Sequence, residues 1–412
     1  MAKFTSIDKC RVSGSTNLVS VLDLGTQVLT GVFPGSKSEH VDSGPLELLW
    51  CPDSGLVQLK HSFEPAEMYG ENYGYRSGLN ASMVRHLQQK VRAIERMVEL
   101  RDGDIVLDIG SNDATTLKSY ANPKLRRVGI DPTGRKFAAF YPPEIKLVPD
   151  FFSADAYRTA YQEPARVVTS IAMFYDLEDP VSFARQIASV LADDGIWHFE
   201  QSYLPSMLRT NSYDTMCHEH LEYYSLEAVE YILGSAGLAV IDVRLNDING
   251  GSFAVTAAKK GGPLVRGSVP EVIWLREEEA RMGLGTRRPY DAFKDAAFQH
   301  RESLTSLIRH LNADGKRVLG YGASTKGNVT LQFCGLGADD LLAIEEVNPD
   351  KYGHVTPGSH IPIVSQADAR AMKPDYFLVL PWHFRNNILA REQEYLNGGG
   401  KFIFPFPFVE IV

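Results

Sequence analysis

Residues 104–117 read DIVLDIGSNDATTL, and this stretch decides the fold. Ile105, Val106 and Leu107 make the short apolar run of a buried strand, and the polar turn after Asp108 leads into a helical pattern. Gly110 lies in that turn, where the missing Cβ lets the backbone approach a ligand closely. A second apolar run, VGIDP, ends on Asp131 roughly twenty residues later. Strand, glycine turn, helix, strand and carboxylate in that order predict an α/β sheet that holds a nucleoside at the carboxyl ends of its strands. An ordinary strand–helix turn, with an Asp131 that touches no ribose, is the competing reading. The single glycine departs from GxGxxG, whose extra close approaches a dinucleotide pyrophosphate needs and a nucleoside carrying an amino acid does not.

The alternation continues on the C-terminal side through ARVVTSIAM, DGIWHFEQSY, LAVIDVRL and GGSFAVTAAKK, which implies a mostly parallel sheet with helices on both faces. On its N-terminal side Val84, Leu87, Val91, Ile94 and Val98 recur at helical spacing and predict an amphipathic helix that packs on this sheet. Residues before it are rich in Gly, Ser and short alternating runs, so residues 1–75 read as a small β-rich domain. Residues 76–265 form the nucleoside-binding domain, 266–314 a charged helical linker, and 315–412 a second, smaller α/β domain beginning at KRVLGYGASTKGN.

With 412 residues the chain is long enough for two or three cores at roughly 150 residues each. A net charge of −9 argues against nucleic acid, which demands a dense Lys/Arg surface. No apolar run reaches the roughly 18 residues that span a bilayer, and the N-terminal residues lack a secretory h-region, so a cytoplasmic location is expected. Cys10, Cys51, Cys217 and Cys334 are scattered, which fits reduced thiols rather than a disulfide framework.

Titratable groups are densest in MCHEHLEYYS, residues 216–225. His218, Glu219 and His220 are adjacent, and adjacent ligands do not converge on one ion as His at i and i+4 would, so proton transfer is favoured over metal binding.

Several separated motifs together resemble one family, the sugar C-methyltransferases that build branched deoxysugars such as mycarose and tetronitrose. They are CRVSGS, CPDSGLVQL and MYGENYGYRSG in the first segment; DIGSNDAT, DFFSA, FEQSYL, YDTMCHEHLEYYS and NGGSF in the second; and GYGASTKGN, NPDKYGHVTPGSHIPI and LPWHF in the third. The resemblance covers essentially the whole chain. It implies a class I, Rossmann-like S-adenosylmethionine (SAM) methyltransferase core, with SAM held by Asp108, Gly110, Asn112, Asp131 and Phe151. It also implies a C-terminal Rossmann-like domain that contacts the sugar nucleotide. The implied reaction moves a methyl group from SAM to a ring carbon beside the ketone of a nucleotide-linked keto sugar. His220 would be the base, with Glu219 beside it to orient the imidazole, and Tyr75, or else Tyr73, would close over the sugar, where it would hydrogen-bond the enolate oxygen. The chain departs from better-known relatives in carrying Cys217, Ala172 and Asp176 where they have Tyr, Asn and His; Asp176 is retained as a substrate-side candidate. His218 is read as a bystander.

The family's small domain holds zinc on two Cys-x-x-Cys pairs, but here the pairs are Cys10/Ser13 and Cys51/Ser54. Serine hydroxyls are poor zinc ligands, so a metal-free domain is expected. In the C-terminal glycine turn, Ser324 and Lys326 offer donors to a phosphate. Methylation of another small acceptor at oxygen, a non-catalytic sugar-nucleotide binder, and an NAD enzyme using the Gly320 turn are the alternatives.

Overall fold

The computed structural model describes residues 4–63, 76–267 and 269–412; Tyr73 and Tyr75 lie outside the described residues. The stretch that opened the sequence reading folds as expected. Ile105–Ile109 is a fully buried strand at the middle of a seven-stranded sheet. Arg126–Ile130 and Ile145–Val148 lie to one side of it; Ala165–Ile171, Leu191–Ser202, Ser252–Lys259 and Leu238–Asn246 lie to the other. All neighbours are parallel except those made by Ser252–Lys259, which runs antiparallel to both its partners. This is the class I methyltransferase topology, and its apolar strands read as continuous hydrophobic runs because helices cover both faces.

The predicted amphipathic helix spans Ala81–Met97, is capped by the Asn80 side chain, and buries Leu87, Val91 and Ile94. Its polar face also holds the sheet: His86, Lys90 and, from the edge strand Leu238–Asn246 two places away, Asn246 all bind the buried Glu200 carboxylate.

The N-terminal segment forms an antiparallel sheet of Val19–Val28, Ser43–Trp50 and Val57–Leu59. Its fourth strand comes from elsewhere: Glu222–Tyr223, just after the HEH triplet, pairs with Val57 and Gln58.

The stretch read as a linker makes two helices, Pro270–Met282 and Arg288–Ala313, separated at Gly283 with φ +75°. Val272 and Leu275 enter the central core, while Tyr290 and Phe293 pack in a core that spans the N- and C-terminal segments. The helices are thus packed structure rather than a solvated connector. The C-terminal domain has a six-stranded sheet in the order Ile363–Ser365, Ile344–Glu346, Val318–Tyr321, Tyr376–Val379, Lys401–Phe404, Glu410–Ile411. Among the described residues no helix is long and apolar enough to cross a membrane.

Candidate active site

The cofactor turn lies at the carboxyl end of Ile105–Ile109. Gly110 has φ +69°, and a Cβ there would come within 3.1 Å of the Met173 side chain, so glycine both adopts the left-handed turn cheaply and lets Met173 pack against it. The Asn112 backbone, also left-handed at φ 48°, points its N–H at Asp131 Oδ2, 2.7 Å away. Asp131 Oδ1 accepts from the Thr133 N–H at 2.7 Å and its hydroxyl at 2.6 Å. Three donors therefore occupy most of the roughly four lone-pair positions of this carboxylate. It has room for one ribose hydroxyl, and a second requires the Thr133 hydroxyl to turn away.

Asp108 is placed differently from the sequence reading. It is buried beneath the turn, takes a hydrogen bond from Thr169 at 2.5 Å, and burial raises its pKa to about 7 against the Thr169 and Thr116 hydroxyls. It supports the turn from below rather than facing a ligand. Phe151 stands 52% exposed beyond the strand Ile145–Val148, with its ring free to cover a base. Residues just ahead of the long helix close over the turn: Ser77 N–H binds Asn112 Oδ1 and Gly78 N–H binds Asp113 Oδ2, both at 3.0 Å. A glycine turn at the carboxyl ends of the strands, a carboxylate on the next strand and a free aromatic face fit SAM.

The HEH loop spans two sheets. Leu221 donates to Tyr175 O and accepts from Leu59 N, both at 2.8 Å, so the loop is held between the end of Ala165–Ile171 and the N-terminal sheet. His220 Nδ1 lies 3.1 Å from the Thr215 carbonyl. A carbonyl only accepts, so Nδ1 carries the proton and Nε2 keeps its lone pair. The ring packs on Tyr175 at 4.3 Å. Burial and then the charge of Lys326 hold its pKa down to about 4, against the pull of the Thr215 bond. His220 is thus neutral across the physiological range and fixed as one tautomer.

Glu219 does not orient His220. Its Oε1 would lie 2.8 Å from a Cβ on Gly31, and its carboxyl pairs with the Cys217 thiol; burial raises its pKa above the usual range. The Thr215 carbonyl takes the orienting role instead, a backbone group that no side-chain motif could announce. His218 is structural, as expected: Nε2 binds Gly44 O at 3.2 Å, and the ring meets Phe63 edge-on at 4.8 Å. Asp176 lies under the loop, where its charge is felt by Cys217, Glu222 and Tyr223.

The C-terminal glycine turn is not an open phosphate cradle. Gly322 is pressed against Pro381, and Glu346 already accepts the Ala323 N–H at 2.9 Å. Ser324 serves as the N-cap of the helix Thr325–Cys334, its Oγ accepting from Gly327 N at 3.0 Å. Lys326 instead reaches into the middle domain and donates to Asn249 O at 2.7 Å. Trp382 follows the same path: Nε1 donates to Asp214 Oδ2 at 2.8 Å, and a Cβ on Gly250 would touch its ring at 3.0 Å. Asp214 and Asn249 carried no signal in the sequence beyond the motifs YDTMCHEHLEYYS and NGGSF, whereas Trp382 and His383 are readable from the sequence as pocket lining.

In the small domain the four knuckle positions do converge. Cys10 Sγ meets Ser54 Oγ at 3.2 Å and Ser13 Oγ meets Cys51 Sγ at 3.6 Å, so each retained thiol bonds the serine of the opposite pair. Two thiols and two neutral hydroxyls do not fit zinc, which takes thiolate and imidazole donors. We expect metal analysis of the purified chain to find well under one zinc per chain, and the double variant Ser13→Cys, Ser54→Cys to take up one. Stoichiometric zinc in the parent chain overturns this assignment.

Family models match in three consecutive blocks: the family described as "Putative zinc binding domain" over residues 10–69, a methyltransferase domain over 83–243, and a C-methyltransferase C-terminal domain over 247–407. The C-methyltransferase NovU of Streptomyces niveus is 33% identical over 409 residues, covering 97% of this chain and 96% of that protein. Among solved structures, the CcbJ methyltransferase of Streptomyces caelestis aligns over 42% of this chain and 89% of its own at 11% identity, with a TM-score of 0.32. A SAM-dependent methyltransferase of Clostridium acetobutylicum aligns over 43% and 92% at 11% identity, with a TM-score of 0.33. The full-length match to NovU, carried over three domains in one order, decides the matter: the chain belongs to the SAM-dependent C-methyltransferase family.

Proposed function

We propose that the chain methylates a ring carbon beside the ketone of a nucleotide-linked keto sugar, with His220 as the base. The observation that carries this reading is the His220 imidazole, fixed by Thr215 as the tautomer with a bare Nε2 and set where the middle and C-terminal domains meet. Gly110, Asn112, Asp131 and Phe151 would hold SAM, and bound SAM supplies an electrophilic methyl group to the nucleophilic carbon. His220 Nε2 takes the proton from the carbon beside the ketone; the C–H electron pair becomes the enolate double bond, and the carbonyl pair moves onto oxygen. Thr215 holds the resulting imidazolium through Nδ1–H, and buried Tyr175 keeps water from the ring. An oxygen acceptor needs no such enolate.

The test is a SAM-dependent mass-shift assay against nucleotide-linked 4-keto-6-deoxy sugars, run beside solvent-deuterium exchange. We expect a gain of one methyl group on at least one sugar and exchange of the proton beside its ketone. Methylation without exchange at that carbon would point to an oxygen acceptor and overturn the reading.

A further inference from the structure

We propose that Lys326 and His383, both from the C-terminal domain, form the oxyanion site that receives the charge developing on the ketone oxygen of the substrate. The inference rests on the keto-sugar reading above.

Three segments converge here. The turn Tyr213–Thr215 holds His220 through the Thr215 carbonyl and accepts the Trp382 indole on Asp214. The loop 249–251 takes the Lys326 ammonium on the Asn249 carbonyl and packs Gly250 against the Trp382 ring. Lys326 and His383 thus enter a junction whose other wall carries the base.

The junction is electrostatically incomplete. The Lys326 ammonium has three donors, and its hydrogen bond within the fold goes to the Asn249 carbonyl. Among the described residues no carboxylate lies in ion-pair contact with it; Asp214, whose Oδ2 takes the Trp382 indole, acts on the ammonium only through its charge, which works against the effect of burial. A largely buried cation without a paired anion is costly unless a ligand supplies the negative charge. His383 Nδ1 is likewise buried and without a partner among the described residues. As the Nδ1–H tautomer it donates a second hydrogen bond. Lys326 also depresses the pKa values of both His220 and His383, after burial, which fits three basic groups around one small space.

The placement matches the ketone oxygen better than the diphosphate. The base acts on a carbon bonded directly to the carbonyl carbon, so its partner for the oxyanion must lie within roughly 3 Å of an atom next to the reacting centre. The diphosphate hangs from the anomeric carbon, across the ring from a 4-ketone. A base as weak as His220 also makes the reaction depend on stabilising the oxyanion, because little of the driving force comes from the proton acceptor. The accounting closes without a further reagent: the proton goes to His220 Nε2, the carbonyl pair goes to oxygen, and Lys326 keeps all its protons while donating.

The experiment uses the full chain with thymidine, uridine and guanosine diphosphate 4-keto-6-deoxyhexoses in heavy water, with and without SAM. Lys326→Met and His383→Leu are compared with the parent for exchange rate, kcat, and affinity for the free nucleoside diphosphate; SAM binding reports that each variant is folded. We expect Lys326→Met to lower exchange and kcat ~100-fold or more, and His383→Leu ~10-fold, with nucleoside diphosphate affinity within twofold. If Lys326→Met does not fold, His383→Leu alone decides. A folded variant that exchanges at the parent rate, or one that loses diphosphate affinity tenfold while keeping kcat, overturns the assignment. If the parent exchanges no member of the panel, the keto-sugar reading itself falls and takes this assignment with it.

Discussion

Replacing His220 by alanine is expected to lower turnover ~100-fold or more while leaving SAM affinity within about twofold. His220 is fixed by a backbone carbonyl at 3.1 Å and by the Tyr175 ring, and neither contact belongs to the cofactor turn, which is built from residues 110–113 and Asp131. Truncation therefore removes the proton acceptor and spares the SAM pocket. The pH dependence follows from the depressed pKa of about 4. The base works when neutral, so its contribution is fully present above about pH 5 and is lost as pH falls through 4. An unperturbed imidazole would instead show its acid limb near 6.5. Rapid-quench methyl transfer and calorimetric SAM binding check both parts; near-normal turnover in the alanine variant removes His220 from the role.

The largest expected effect on stability comes from Arg11→Met. Arg11 lies between the two knuckle residues Cys10 and Ser13, and its side chain is 3% exposed. Its guanidinium donates to Leu59 O at 2.6 Å, Ser62 Oγ at 2.8 Å and Gln58 Oε1 at 3.3 Å. It also lies 3.5 Å from Glu178 and 3.8 Å from the buried Glu222. Glu222 and Tyr223 are the HEH loop's strand in the N-terminal sheet, so Arg11 ties the knuckle, that sheet and the loop together. Methionine keeps the bulk but strands several buried acceptors and leaves Glu222, already pushed up by burial, without the charge that pulls it down. A loss of about 3–5 kcal/mol is expected in urea unfolding. Glu222→Gln should cost much less, since Arg11 keeps Glu178 and three neutral acceptors. A loss under about 1 kcal/mol for Arg11→Met would show that the knuckle is not coupled to the loop in this way.

Local pattern was legible where one element decides it. The strand Ile105–Ile109, its glycine turn, Asp131 and the helix Ala81–Met97 follow from apolar periodicity and from the φ that Gly110 alone adopts cheaply, both properties of a few neighbouring residues. The sequence could not place Asp108, because whether a carboxylate at a strand end faces out or down depends on Thr169 from a strand sixty-one residues away.

By itself, then, the sequence determined the strand, glycine turn and carboxylate of the cofactor site and pointed to His220 as the candidate base. Only tertiary structure decided that the Thr215 carbonyl orients that base while Glu219 turns to Gly31, and that Glu222–Tyr223 completes the N-terminal sheet. It also decided that Glu346 fills the C-terminal turn and that Lys326 crosses 77 residues of chain to Asn249. The reason is physical. A helix or a turn is fixed by contacts within a few residues, whereas the partner of a buried polar group is whichever acceptor the packed fold brings within about 3 Å.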